Sequence, residues 1–143
     1  MADHGLYKDI LLRHYRHPCN KCDGEMLDAD IVRRGANPRC GDEIEVGLYL
    51  DGDQLREVRF RGRGCSVCIA SSSMMTEAVS GRRATDARHL CEDMREWFRQ
   101  GDGEGLTAPP SDLQALSAVR EYPARRRCVL LSWDALSDAL DAI

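Results

Sequence analysis

Residues 44–60 place the tightest constraint on how this chain folds. Ile44, Val46, Leu48 and Leu50 alternate with polar or small residues, the period of a strand buried on one face. Asp51-Gly52-Asp53 reads as a hairpin turn, and beyond it Val58 and Phe60 alternate with Glu57, Arg59 and Arg61. Leu55 is out of phase with Val58, so the returning strand is expected to contain a bulge or to start late. Arg61-Gly62-Arg63-Gly64 is expected to break it. An antiparallel hairpin ends where it began. Whatever precedes Ile44 must therefore lie near whatever follows Gly64.

The residues at those two ends have a definite chemistry. Ahead of the hairpin stands Asn37-Pro38-Arg39-Cys40-Gly41-Asp42. Pro38 fixes its own φ and Gly41 admits a turn closed to other residues, so the Cys40 thiol and the Asp42 carboxylate can face one point. Behind the hairpin stands Cys65, and a third thiol, Cys128, comes from a distant part of the chain. Cys40, Asp42, Cys65 and Cys128 would make a tetrahedral set of three thiolates and a carboxylate, which is zinc or iron–sulfur chemistry. The N-terminus, Met1-Ala2-Asp3-His4-Gly5, has neither the basic start nor the apolar run of a signal peptide, so the expected location is cytoplasmic. In that reducing setting seven cysteines point to metal binding or reactive thiols rather than a disulfide framework.

The rest of the chain supplies helices. Leu6, Tyr7, Ile10, Leu11, His14 and Tyr15 recur at helical spacing over residues 5–16, and His17-Pro18 ends that helix. Ala29–Arg33 is a short strand candidate. A helix is expected over residues 67–80, with Val67, Ala70, Met74 and Ala78 on one face and Gly81 as its stop. Another runs over 85–100, striped by Leu90, Cys91, Met94, Trp97 and Phe98. Gly101–Pro110 reads as a flexible loop. Ser111 and Gln114 have capping-box spacing ahead of a short helix that Pro123 breaks. Val129, Trp133, Leu136 and Leu140 mark a last helix with Cys128 at its start. Cys65 and Cys128 would then both sit at helix N-termini, where the dipole favours a thiolate. The expected fold is a single α+β domain over residues 1–143, a small three-stranded antiparallel sheet covered on one face by helices.

Several residues have plainer roles. Cys91, Cys68 and Met74-Met75 fit core positions, and His14 and His17 fit surface or capping positions at a helix end. Arg125-Arg126-Arg127 fits a solvated face, and next to Cys128 a guanidinium would also lower a thiol pKa or dock a partner carboxylate. A net charge of −4 argues against nucleic acid as the main partner, and no stretch approaches the length of a membrane span.

Three ordered motifs, Asn37-Pro38-x-Cys40-Gly41-Asp42, then Gly62-x-Gly64-Cys65 running into Ala70-Ser71-x-Ser73-Met74-Met75, then Arg-x-x-Cys128 before Trp133, resemble the IscU/SufU/NifU N-terminal family of iron–sulfur cluster assembly. The likeness runs from the first helix to the last. Cys128 follows Cys65 by 63 positions, and the stretch between them includes the helix near 85–100, an insertion resembling the SufU branch. Arg127 stands where IscU-type scaffolds have a histidine, and their Leu-Pro-Pro-Val-Lys chaperone segment is absent. The resemblance implies one Zn2+ held by Cys40, Asp42, Cys65 and Cys128. It also implies a sulfurtransferase role, accepting persulfide from a SufS-type cysteine desulfurase and relaying sulfur to a SufBCD-type complex. Cys40, on a Gly-bearing loop, is the expected sulfur acceptor, with Arg127 assisting and Cys128 as the other candidate acceptor. The alternatives are a scaffold that builds a [2Fe–2S] cluster on the same four residues and a zinc-stabilised interaction domain without chemistry. Cys19, Cys22 and Cys68 depart from the family pattern; they create Cys-x-x-Cys pairs at 19/22 and 65/68, and with them a rival four-thiolate zinc site.

Overall fold

The structure is a computed structural model and describes residues 4–99, 111–120 and 122–143. In chain order it has α1 (His4–Arg16), β1 (Ile31–Asn37), β2 (Asp42–Asp51), β3 (Gln54–Arg63), α2 (Ser66–Val79), α3 (Ala84–Arg99), a 3₁₀ segment (Ser111–Val119) and α4 (Pro123–Asp141). The strands form one antiparallel sheet in the order β1-β2-β3, as the alternation predicts. Tyr49 pairs with Glu57 and Leu50 with Leu55, which leaves Arg56 as the extra residue of the expected bulge. The bulge brings Leu55 and Val58 onto the same buried face.

The sheet departs from expectation at both ends of the site. β1 starts and ends later than Ala29–Arg33, because its signal is diluted by Arg33-Arg34-Gly35; it pairs with β2 from Ile31↔Leu48 to Asn37↔Asp42. The Pro38–Gly41 turn is thus the tip of a second hairpin. β3 is not broken at Gly62 but continues to Arg63, with Gly62 at φ 136° in paired backbone. A Cβ at Gly62 would overlap the Glu43 carbonyl oxygen.

Ile44, Val46, Leu48, Leu55, Val58 and Phe60 are fully buried on the face toward α2 and α4. The opposite face is partly covered by the chain ahead of β1: Met26 lies over Gly47, and Tyr49 donates to Asp28 Oδ1 at 3.0 Å beneath the Arg59 guanidinium. α2 is the central helix and is buried around its whole circumference from Cys68 to Thr76, rather than on one face. Its run of small polar residues is what permits this. Ser71 Oγ donates to the Val129 carbonyl at 2.7 Å and Ser72 Oγ to the Cys68 carbonyl at 2.8 Å, so buried hydroxyls are satisfied while neighbouring elements approach closely. Met74, Met75 and Cys91 are core, as expected. The expected Gly101–Pro110 loop lies outside the described residues. Pro123 opens α4 rather than breaking the preceding helix: its fixed φ suits the first helical turn, where its missing N–H costs nothing. No helix among the described residues is long and apolar enough to cross a membrane.

Candidate metal centre

The Asn37–Asp42 turn is closed by a hydrogen bond from the Cys40 N–H to the Asn37 carbonyl at 3.2 Å, with Gly41 at φ 69° in the left-handed region. This turn leaves Cys40 exposed and tucks Asp42 inward, 2% exposed, as the first residue of β2. At the far end of β3, Cys65 is the N-cap of α2. Its backbone N–H donates to Asp42 Oδ1 at 2.9 Å, so the carboxylate also lies at the positive end of the helix. A Cβ on Gly64 would stand 2.9 Å from both Asp42 Oδ1 and Cys68 Sγ. Only a residue without a side chain lets the strand end, the carboxylate and α2 meet this closely.

Cys128 completes the cluster from the other side. It lies in the second turn of α4, with its Sγ donating to the Ala124 carbonyl at 3.8 Å, so the expected position at the helix start is corrected. The proline-led turn adds one turn of helix ahead of it. Cys65 alone among these thiols sits at a helix N-terminus. Cys128 Sγ stands 3.8 Å from Cys40 Sγ, and the ligand atoms of Cys40, Asp42 and Cys128 all lie within 4.8 Å of one another. Burial pushes the Cys128 thiol well up from its ordinary pKa, and hydrogen bonding to Asp42 and the facing Cys65 and Cys40 thiols push it the same way. Crowded groups of this kind resist ionising together unless a cation sits among them.

The donor set fits a metal ion on two further counts. Asp42 Oδ2 is buried without a hydrogen-bond partner, an expensive arrangement for a carboxylate oxygen unless a cation or donor meets it. Two sulfurs on a tetrahedral zinc stand roughly 3.8 Å apart, given Zn–S bonds of about 2.3 Å. The Cys40–Cys128 separation has that value.

The remaining sequence candidates lie elsewhere. Arg127 is exposed on α4 and shares a cavity of about 250 Å³ with Asn37, Arg126 and Asp134, beside the Cys40 turn rather than inside the cluster. Cys68 is fully buried, and desolvation pushes its thiol up to about 12. The four-thiolate arrangement of Cys19, Cys22, Cys65 and Cys68 is not assembled: Cys19 Sγ faces Glu77 Oε2 at 3.4 Å, and Cys22 lies beside Arg59 on the other side of the sheet. His14, expected at the surface or in a cap, is 2% exposed between α2 and the 3₁₀ segment. Its neighbours Glu77 and Asp112 come from positions 63 and 98 residues away, with no spacing signal to connect them.

Comparison with known proteins agrees with this architecture. The family described as NifU-like N terminal domain matches residues 6–141. The zinc-dependent sulfurtransferase SufU of Bacillus subtilis (strain 168) is 38% identical over 134 residues, spanning 92% of this chain and 86% of the relative. The iron–sulfur cluster assembly scaffold protein IscU of Streptococcus pyogenes serotype M1 is 32% identical over 135 residues, spanning 94% and 82%. A crystal structure from Fervidobacterium islandicum AW-1, described as a candidate iron–sulfur cluster assembly scaffold for the SUF system, superposes with a TM-score of 0.76 at 27% identity. It covers 97% of this chain and 99% of that one. The match across nearly the whole chain, together with the hairpin-and-helix frame around Cys40, Asp42, Cys65 and Cys128, makes this chain a member of the NifU-like N-terminal domain family.

Proposed function

We propose that the protein is a sulfur-accepting partner of a cysteine desulfurase in iron–sulfur cluster assembly, with Cys40, Asp42, Cys65 and Cys128 holding one zinc ion. The observation that carries this reading is the gradient of exposure across the donors. Asp42 and Cys128 are buried and Cys65 is half-buried, while Cys40 stands exposed at the tip of a turn. One donor is presented to a partner and the others are held back.

Bound zinc keeps thiols deprotonated at neutral pH, the state that reacts. The Cys40 thiolate attacks the outer sulfur of a persulfide on the desulfurase. A bond forms between Cys40 Sγ and that sulfur, the donor's S–S bond breaks, and the donor cysteine leaves as a thiolate. Swinging Cys40 toward the partner requires rearrangement only of the Pro38–Gly41 turn, since β1 and β2 stay paired up to Asn37↔Asp42. Arg127, exposed beside this turn, would contact a carboxylate of the docked partner. The donor would be of the SufS type and the downstream acceptor of the SufBCD type, in the cytoplasm.

The 32% identity to an IscU scaffold across 94% of the chain favours one alternative, assembly of a [2Fe–2S] cluster on the same four residues. Metal content separates the two: protein prepared without oxygen should hold one zinc and no visible chromophore, whereas iron with labile sulfide means the scaffold reading holds. Cys40→Ala then tests the acceptor. Persulfide transfer from the desulfurase should fall to background while the circular-dichroism signature of the fold is retained. Wild-type transfer in this variant would sink the assignment.

A further inference from the structure

A second cluster of metal-binding side chains lies on the far side of α2. His14 on α1, Glu77 on α2 and Asp112 on the 3₁₀ segment each bring a ligand atom within 4.8 Å of the other two. Cys19, in the loop after α1, adds its Sγ at 3.4 Å from Glu77 Oε2. The geometry points to a second divalent transition-metal site made of His14 Nε2, Asp112 Oδ2, Glu77 and Cys19 Sγ, of a kind that suits zinc.

The hydrogen bonding around His14 lets an ion take the place of a proton. Ser73 Oγ accepts the Cys19 N–H at 2.7 Å and lies 2.7 Å from His14 Nδ1. A hydroxyl oxygen has two lone pairs, so Ser73 can also accept a proton held on Nδ1. In that tautomer Nε2 presents a bare lone pair 2.9 Å from Asp112 Oδ2, and two acceptors at that distance need a cation between them. The cation is either the proton, moved onto Nε2, or a metal. A partner that fixes the second nitrogen is the usual accompaniment of a ligating histidine.

The spacings are close to those a metal demands. Tetrahedral ligands at about 2.0–2.3 Å from zinc stand roughly 3.3–3.8 Å apart. Here the separations are 2.9 Å from His14 to Asp112 Oδ2, 4.0 Å from His14 to Glu77 Oε1 and 3.4 Å from the other Glu77 oxygen, Oε2, to Cys19. Cys19 stands against the Glu77 oxygen turned away from His14, so its Sγ joins the ion by swinging toward the His14, Glu77 and Asp112 group. Glu77 is half exposed, and a cavity of about 290 Å³ lined by Glu77, Asp112, Met74 and Arg82 gives access from solvent. Arg13 also holds Asp112 Oδ2, at 2.6 Å, but it is mostly exposed, and the carboxylate has a second oxygen to offer it. Binding exchanges the Cys19 proton for the metal and moves the imidazole proton from Nε2 to Nδ1. The Cys-x-x-Cys pair at 19/22 is thereby split, with Cys19 alone belonging to this site.

The test adds cobalt(II) to the zinc-replete protein under reducing conditions, and counts cobalt bound together with zinc retained. Two metals per chain are expected, with new thiolate-to-cobalt charge-transfer absorption. Cys19→Ser should return the count to one and abolish that absorption, and Glu77→Gln should weaken the second equivalent tenfold or more. Cys22→Ser should change nothing. Neither Cys19 nor Glu77 is a core residue, so both variants should fold. A wild-type count of one, or a second equivalent that survives both substitutions, overturns the proposal. Loss of the first zinc alone, in Cys40 or Asp42 variants, would instead test the function proposed above.

Discussion

At the Cys40 turn, the donor atoms stand as ligands around a metal would, with 3.8 Å between Cys40 and Cys128 and one carboxylate oxygen of Asp42 buried without a partner. At His14 the donor atoms have closed on one another, with 2.9 Å between imidazole and carboxylate and a guanidinium in attendance. Both clusters draw residues from distant parts of the chain, and both lie against α2. The difference lies in what each does without an ion. In the first, an unpaired buried oxygen and facing thiols cost free energy that a bound cation would offset. The second is satisfied by a proton and an arginine, so a metal must compete for it. Likeness of residue type is therefore a poor guide to affinity; how far the donor groups already satisfy one another is a better one.

The largest expected effect breaks the first cluster. Asp42→Asn keeps the size and the acceptor for the Cys65 N–H but removes the charge, and zinc affinity should fall by more than about 100-fold, beyond the usual cost of losing a ligand's supporting contact. Because binding contributes folding free energy, the thermal midpoint should fall with it, and competition with a chelator measures the first quantity directly. Unchanged zinc affinity would remove Asp42 from the donor set. Gly64→Ala should act more mildly, at about 1–3 kcal/mol by denaturant unfolding, because its Cβ would press on both Asp42 Oδ1 and Cys68 Sγ. Zinc affinity should drop in the same variant, whereas a lesion of packing alone would leave it intact. The smallest effect sharpens the second cluster. Arg13→Ala removes an exposed ion pair and should alter stability by less than about 1 kcal/mol, yet tighten binding of the second ion by freeing Asp112.

Much of the first cluster was legible in the sequence, because its geometry follows from short-range rules. The period-2 alternation around Asp51-Gly52-Asp53 made a hairpin, and a hairpin brings its ends together, so Cys40, Asp42 and Cys65 could be grouped before any coordinates existed. Even the bulge was visible in the phase of Leu55. What failed depended on context. β1 was shifted because two arginines and a glycine mask a strand that is held by pairing rather than by propensity. Pro123 was read as a breaker although the same ring begins a helix equally well. α2 showed a one-sided stripe, yet its serines let neighbouring elements pack on every side. His14 was illegible for a stronger reason: its partners are fixed by how α1 and the 3₁₀ segment pack on α2, and no local pattern encodes that.

The position of Cys128 has a consequence for synthesis. Its Sγ stands 3.8 Å from that of Cys40, and it lies 88 residues beyond Cys40. A growing chain that has released the hairpin and α2 already displays Cys40, Asp42 and Cys65, but the donor that joins them emerges only with α4. The first cluster thus closes only once α4 has been made, and a chain that stops before α4 keeps Cys40, Asp42 and Cys65 without the thiol that faces Cys40.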